Sequence, residues 1–153
     1  MRTCSEVNSR PVETAYNQNV FKWNLRVYFE DTDAGGIVYY ANYLRFMERA
    51  RTEWLRSIGI DQTALLADDG LMFVVVDAQI SYKVPARYGD ELEVVSRIAA
   101  WGRASLTFEQ DIVRGAANAP KQTLVTGRVR VAALDATRFK PRSLPERLVK
   151  EMK

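Results

Sequence analysis

The sequence predicts an α+β domain in which a five-stranded antiparallel sheet wraps around one long central helix. Three observations carry that prediction. Apolar residues recur at helical spacing through Tyr43, Met47, Ala50, Trp54 and Ile58. Four later stretches alternate apolar and polar side chains with the period of strands that bury one face. A β-rich run at 23–29 precedes the helix, so one strand stands apart from the other four. A striped helix and a one-faced sheet bury both apolar surfaces most simply by packing together.

Each element follows in chain order. Residues 1–20 are polar and aperiodic and contain Pro11; they read as a flexible tail, with 21–153 as one domain. The strand at 23–29 is broken by Asp31-Thr32-Asp33-Ala34-Gly35-Gly36, since Asp and paired Gly form turns. The long helix starts near Tyr43 with Asn42 as its expected N-cap. Glu48 with Arg51, and Glu53 with Arg56, are spaced as pairs on its polar side. Gly59 sits where a left-handed terminal residue belongs, with Ile60 folding back on the last turn. A shorter helix is expected over 61–69. The inward sets of the four strands are then Val76, Ala78, Ile80, Tyr82; Leu92, Val94, Ser96, Ile98; Leu106, Phe108, Gln110, Ile112; and Val125, Gly127, Val129, Val131. A terminal helix is expected within 144–152. Such a sheet leaves an unpaired edge that a second subunit can cover, so an oligomer is expected.

Composition removes whole classes of chemistry. The chain of 153 residues holds no histidine and one cysteine, Cys4 in the polar tail. Histidine-based triads, His-ligated zinc and thiolate zinc are therefore excluded, and no disulfide can form within the chain. Cys4 lacks a basic partner and reads as inert. Acid–base or covalent chemistry must rest on Asp, Glu, Lys, Tyr, Ser or Thr. A net charge of +3 suits small anionic ligands and is too weak to argue for nucleic acid. The basic run Arg138 to Arg142 reads as solvated surface. No phosphate-binding glycine motif, signal peptide or membrane-length apolar run is present, which points to the cytoplasm.

What remains is the loop before the helix. It places carboxylates beside the free N–H groups of a helix start, where about half a positive charge collects. Donors so placed stabilise an oxyanion by about 2.7–4 kcal/mol each. Gly35 and Gly36 leave room for substrate to approach the backbone. Asp33 could attack a carbonyl carbon directly or activate a water; the sequence leaves both routes open. The plainer alternative gives Asp31 and Asp33 only the amides of their own turn. Asp31, nearer the strand, reads as a brace; Tyr39, Tyr40 and Tyr43 read as core or rim aromatics.

The run from Val27 to Leu44, followed by Glu48-Arg49-Ala50-Arg51-Thr52-Glu53, resembles the hot-dog-fold acyl-CoA thioesterases. The branch it is most similar to holds the Tol-Pal-associated thioesterases and 4-hydroxybenzoyl-CoA thioesterase. The likeness extends to Tyr82-Lys83-Val84-Pro85-Ala86-Arg87 and Lys140-Pro141-Arg142-Ser143-Leu144-Pro145. The resemblance implies hydrolysis of an acyl-CoA, with Asp33 as the catalytic carboxylate and the Tyr40 backbone N–H as the carbonyl-polarising donor. It implies substrate contact at Gly35 and Gly36, and coenzyme A phosphates near Arg103 and Ser105 in the turn after Trp101. It implies sites between subunits of a homodimer or homotetramer, with no metal or redox cofactor; acyl carrier protein is a further candidate substrate carrier. Many Tol-Pal-type members have His where this chain has Tyr40, and Tyr is common where it has Phe29. The alternative function is a non-catalytic hot-dog module that senses acyl-CoA.

Overall fold

The computed structural model describes residues 19–115 and 119–153. The first strand, β1, is Phe21–Arg26, and a short 3-10 turn follows at Phe29–Asp31. The long helix α1 is Asn42–Ser57 and the shorter α2 is Gln62–Asp69. Four strands come next: β2 Leu71–Tyr82, β3 Glu91–Trp101, β4 Ser105–Arg114 and β5 Gln122–Asp135. Helix α3, Glu146–Met152, closes the chain. All strand pairs are antiparallel, and the order across the single sheet is β1-β3-β4-β5-β2. The expected tail, including Cys4, falls largely on residues 1–18, which lie outside the described residues.

Helix α1 lies on the sheet as its stripe requires. Phe46, Met47, Ala50, Trp54 and Leu55 are buried. Met47 sits directly over Gly127 of β5: a Cβ there would stand 2.7 Å from the methionine methyl carbon. Gly127 thus makes room for a close approach of helix to sheet. Gly59 ends the helix at φ +79°, with Gly59 N–H donating to Arg56 O and Ile60 N–H to Leu55 O. Asp61 caps α2 by accepting from the Thr63 and Ala64 amides. The inward residues expected for β3 and β4 are buried or half-buried, including Ser96 and Gln110.

Four local expectations are corrected. The first strand ends at Arg26, because Phe29 to Asp31 coil into a turn and Phe29 is exposed. Asn42 is the first helical residue and caps nothing. Strand β2 begins at Leu71; a register shift between Val75 and Asp77 makes Val76 the extra residue, so Val76, expected inward, is exposed, while Phe73, opposite the buried Ala133, is half-buried. Arg51 does not meet Glu48. Its Nη1 donates to Gln110 Oε1 at 2.8 Å, while Glu48 Oε1 accepts from Thr52 Oγ1. The Arg56–Glu53 pair forms at 2.9 Å as expected.

Candidate active site

The Asp-Thr-Asp-Ala-Gly-Gly segment forms a tight antiparallel excursion between β1 and α1. Thr32 and Val38 bridge its base, Asp33 N–H donates to Ile37 O at 2.9 Å, and Gly36 N–H donates to Asp33 O at 3.0 Å. Gly36 takes φ +76°, a conformation that excludes most side chains. A Cβ on Gly36 would meet nothing within 4 Å, so open space lies beside this backbone.

The two carboxylates have different surroundings. Asp31 is buried, and its Oδ2 accepts from Tyr28 N–H at 2.8 Å, the bracing role expected of it. Asp33 is exposed, and its Oδ1 accepts from Gly35 N–H at 2.8 Å. That contact is the plain turn interaction, and it also orients the carboxylate. Asp33 Oδ2 accepts no hydrogen bond among the described residues, leaving one oxygen for chemistry.

The approach to α1 is held from several sides. Tyr39 N–H and Asn42 Nδ2 both donate to Asp31 O, each at 2.9 Å. Asn42 N–H donates to Tyr39 O at 2.9 Å. Tyr82 Oη, from the edge strand β2, donates to Tyr40 O at 3.1 Å. Among the described residues the Tyr40 N–H has no protein acceptor. Beside it lies an open cleft of about 270 Å³ whose walls include Val38, Tyr40, Tyr43, Tyr82 and Pro85. Burial raises the Tyr82 phenol above its ordinary pKa, and the neighbouring Tyr40 adds to the shift; Tyr82 stays a donor at neutral pH. Burial also raises Tyr43, whose oxygen accepts from the Ala86 N–H at 3.0 Å.

The structure does not gather every expected site residue. Asp33, Gly35, Gly36 and Tyr40 share one loop. Arg103 and Ser105 flank the turn between β3 and β4, at the far end of the sheet. The Asp33 loop sits beside the start of β3, through Val27 N–H donating to Asp90 O and the Ile37–Arg87 bridge. Ten residue steps along β3, at about 3.3 Å each, separate these ends by roughly 30 Å. Arg103 Nε donates to Ser143 Oγ at 3.2 Å.

Sequence reasoning missed two groups near α1. From the sequence Tyr82 reads only as an inward strand residue, and nothing in its spacing announces the bond to Tyr40. Arg51 reads from the sequence as the partner of Glu48 on the polar side of the helix. Instead it lines a second cavity of about 130 Å³ with Phe73, Leu106, Phe108 and Leu148. Burial pulls its guanidinium down to about 10, opposed only by Glu48. Among the described residues no group of three or more His, Cys, Asp or Glu side chains could hold a metal ion.

The model of the thioesterase-like superfamily matches residues 27–152. The acyl-CoA thioester hydrolase YbgC of Escherichia coli O6:H1 is 44% identical over 137 residues, covering 90% of this chain and 98% of that protein. The acyl-CoA thioesterase YbgC of Haemophilus influenzae is 42% identical over 128 residues, covering 84% and 90%. The crystal structure of a probable thioesterase from Bartonella henselae superimposes with a TM-score of 0.76 at 37% identity, covering 83% of this chain and all of that one. A 4-hydroxybenzoyl CoA thioesterase structure gives a TM-score of 0.81 at 20% identity, covering 88% and 99%, a likeness of fold.

Proposed function

The chain belongs to the thioesterase-like superfamily, and from that premise we propose a reaction with named roles. The protein is a hot-dog-fold thioesterase that hydrolyses acyl-CoA thioesters to a carboxylic acid and coenzyme A. Asp33 is the carboxylate that attacks the acyl carbon or activates the water that does. The Tyr40 N–H receives the thioester oxygen as it becomes an oxyanion. Gly35 and Gly36 admit the substrate. The Asp33 Oδ2 and the Tyr40 N–H, both without a hydrogen-bond partner among the described residues and seven positions apart on one braced loop, are the observation that supports these roles.

Arg103 and Ser105 contact the coenzyme A phosphates from a second copy of the chain, because in one chain they lie roughly 30 Å from Asp33. The working unit is therefore a homodimer or homotetramer. The outer edge of β2, where Val75, Val76 and Tyr82 are exposed, is open for a second sheet. No helix among the described residues is long and apolar enough to cross a membrane. We place the enzyme in the cytoplasm, acting without metal or redox cofactor on acyl-CoA and, as a further candidate, on acyl groups carried by acyl carrier protein.

The test is Asp33→Asn assayed by thiol release over a panel of acyl-CoAs. Asparagine still accepts from the Gly35 amide, so the fold should hold. Loss of the carboxylate should lower kcat by at least about 100-fold. Undiminished turnover in a folded variant would refute the assignment.

A further inference from the structure

Asn42 is a buried carboxamide at the first position of α1, yet it caps no amide of the helix. A residue that is neutral to unfavourable in helices and does not cap needs another reason to be there. Its two bonds supply one. Its backbone N–H donates to Tyr39 O, and its side-chain Nδ2 donates to Asp31 O, each at 2.9 Å. Tyr39 O and the Tyr40 N–H belong to one peptide plane. No peptide bond described is cis, so the two point in opposite directions. Holding Tyr39 O against the Asn42 amide therefore turns the Tyr40 N–H away from the helix, where it finds no acceptor among the described residues.

The carboxamide makes that orientation stiff. Asp31 O receives both Asn42 Nδ2 and the Tyr39 N–H, so Tyr39, whose carbonyl belongs to the plane, and Asn42, two residues beyond it, hang from one carbonyl. Asp31 is itself held by its side chain through Tyr28 N–H. We infer that Asn42 is a positioning residue for thioester hydrolysis, its carboxamide fixing the direction of the Tyr40 N–H by tying α1 to the Asp31 carbonyl. The inference rests on the proposed role of that N–H. It assigns Asn42 no contact with substrate.

The experiment uses Asn42→Asp, which keeps the shape but sets an acceptor against the Asp31 carbonyl, with Asn42→Ala as the second variant should the first fail to fold. Steady-state kinetics are measured well below each variant's melting temperature. A misaimed oxyanion donor should lower kcat by about 10–100-fold, towards the effect of deleting one, with KM held within about threefold because ground-state binding is untouched. In parallel, hydrogen exchange at the Tyr39 amide should accelerate by about tenfold or more, while exchange in the middle of α1 does not change. A folded variant with kcat within about twofold of wild type, or with the Tyr39 amide as protected as before, overturns the inference. If the unsubstituted protein hydrolyses no acyl-CoA, the proposed function fails by itself, and the exchange measurement still decides whether Asn42 fixes this peptide.

Discussion

The Tyr43 hydroxyl links α1 to the segment that walls the cleft, and its removal has a calculable cost. Tyr43 is 2% exposed and Ala86 is 0% exposed. The Ala86 N–H donates to Tyr43 Oη at 3.0 Å, and Ala86 O in turn accepts from Val38 N–H at 2.9 Å. Tyr43→Phe keeps the ring and strands a buried amide donor, which costs about 1–3 kcal/mol. For a chain of this length that corresponds to a fall in melting temperature of about 3–9 °C. Thermal unfolding followed by circular dichroism at one fixed protein concentration reads the loss, since the proposed assembly would make the midpoint concentration-dependent.

The pH dependence of that loss carries a sign that the structure fixes. Burial, the largest influence, raises the Tyr43 phenol above its ordinary value of 10.0. The unfolded chain then releases this proton before the folded one does. Stability from the protonated phenol is complete below that ordinary value and is lost as pH rises through the raised folded value. The phenylalanine variant lacks this loss, so the stability gap between the two proteins should be constant from neutrality to about pH 9 and narrow beyond about pH 10. Arg51 titrates in the same window, but it is common to both proteins and cancels in the difference. An unchanged melting temperature at neutral pH, or a gap that widens in alkali, would refute the account of this bond.

Two further substitutions separate the loop's chemistry from its scaffold. Gly35→Ala should reduce kcat by about tenfold or more with little change in melting temperature, because the new Cβ would stand 3.1 Å from Asp33 Oδ1 and must displace the carboxylate; kinetics equal to wild type would remove that steric argument. Arg51→Met removes a buried cation whose only described hydrogen-bond acceptor is the neutral Gln110. The desolvation relieved, on the order of 3 kcal/mol from the fall to about 10, offsets the Gln110 oxygen left unpaired at about 1–3 kcal/mol. Urea unfolding should therefore find less than about 2 kcal/mol lost; a loss of about 3–5 kcal/mol, typical of a broken buried ion pair, would contradict it.

Element type and order were legible because they are written in period. The helical stripe from Tyr43 to Ile58 and the alternations through Leu92, Leu106 and Val125 survive any choice of partner. The details that escaped arise where tertiary contact overrides local preference. Asn42 looks like a cap until the Asp31 carbonyl is seen within reach of its side chain. Val76 looks inward until the shift opposite β5 leaves it unpaired and exposed. Arg51 looks like half of a surface pair until Gln110 rises from β4 to meet it.

The loop itself was legible for a different reason: two carboxylates and two glycines leave few ways to close a turn before a helix. What the sequence could not express is the separation between that loop and the turn bearing Arg103. Both turns are short, and neither holds a residue that marks which end of the sheet it occupies. Antiparallel pairing decides the matter. Because β3 leaves the Asp33 loop and runs its whole length before turning, everything in the next turn stands at the opposite end. A substrate held at Asp33 can meet Arg103 of the same chain only by spanning the sheet, whereas a second chain packed along the open edge of β2 could present its own turn from outside. The placement of one cation thus ties the reading of the active site to the reading of the assembly. A variant at Arg103 that weakens coenzyme A binding in an obligate monomer as much as in the proposed oligomer would break that tie.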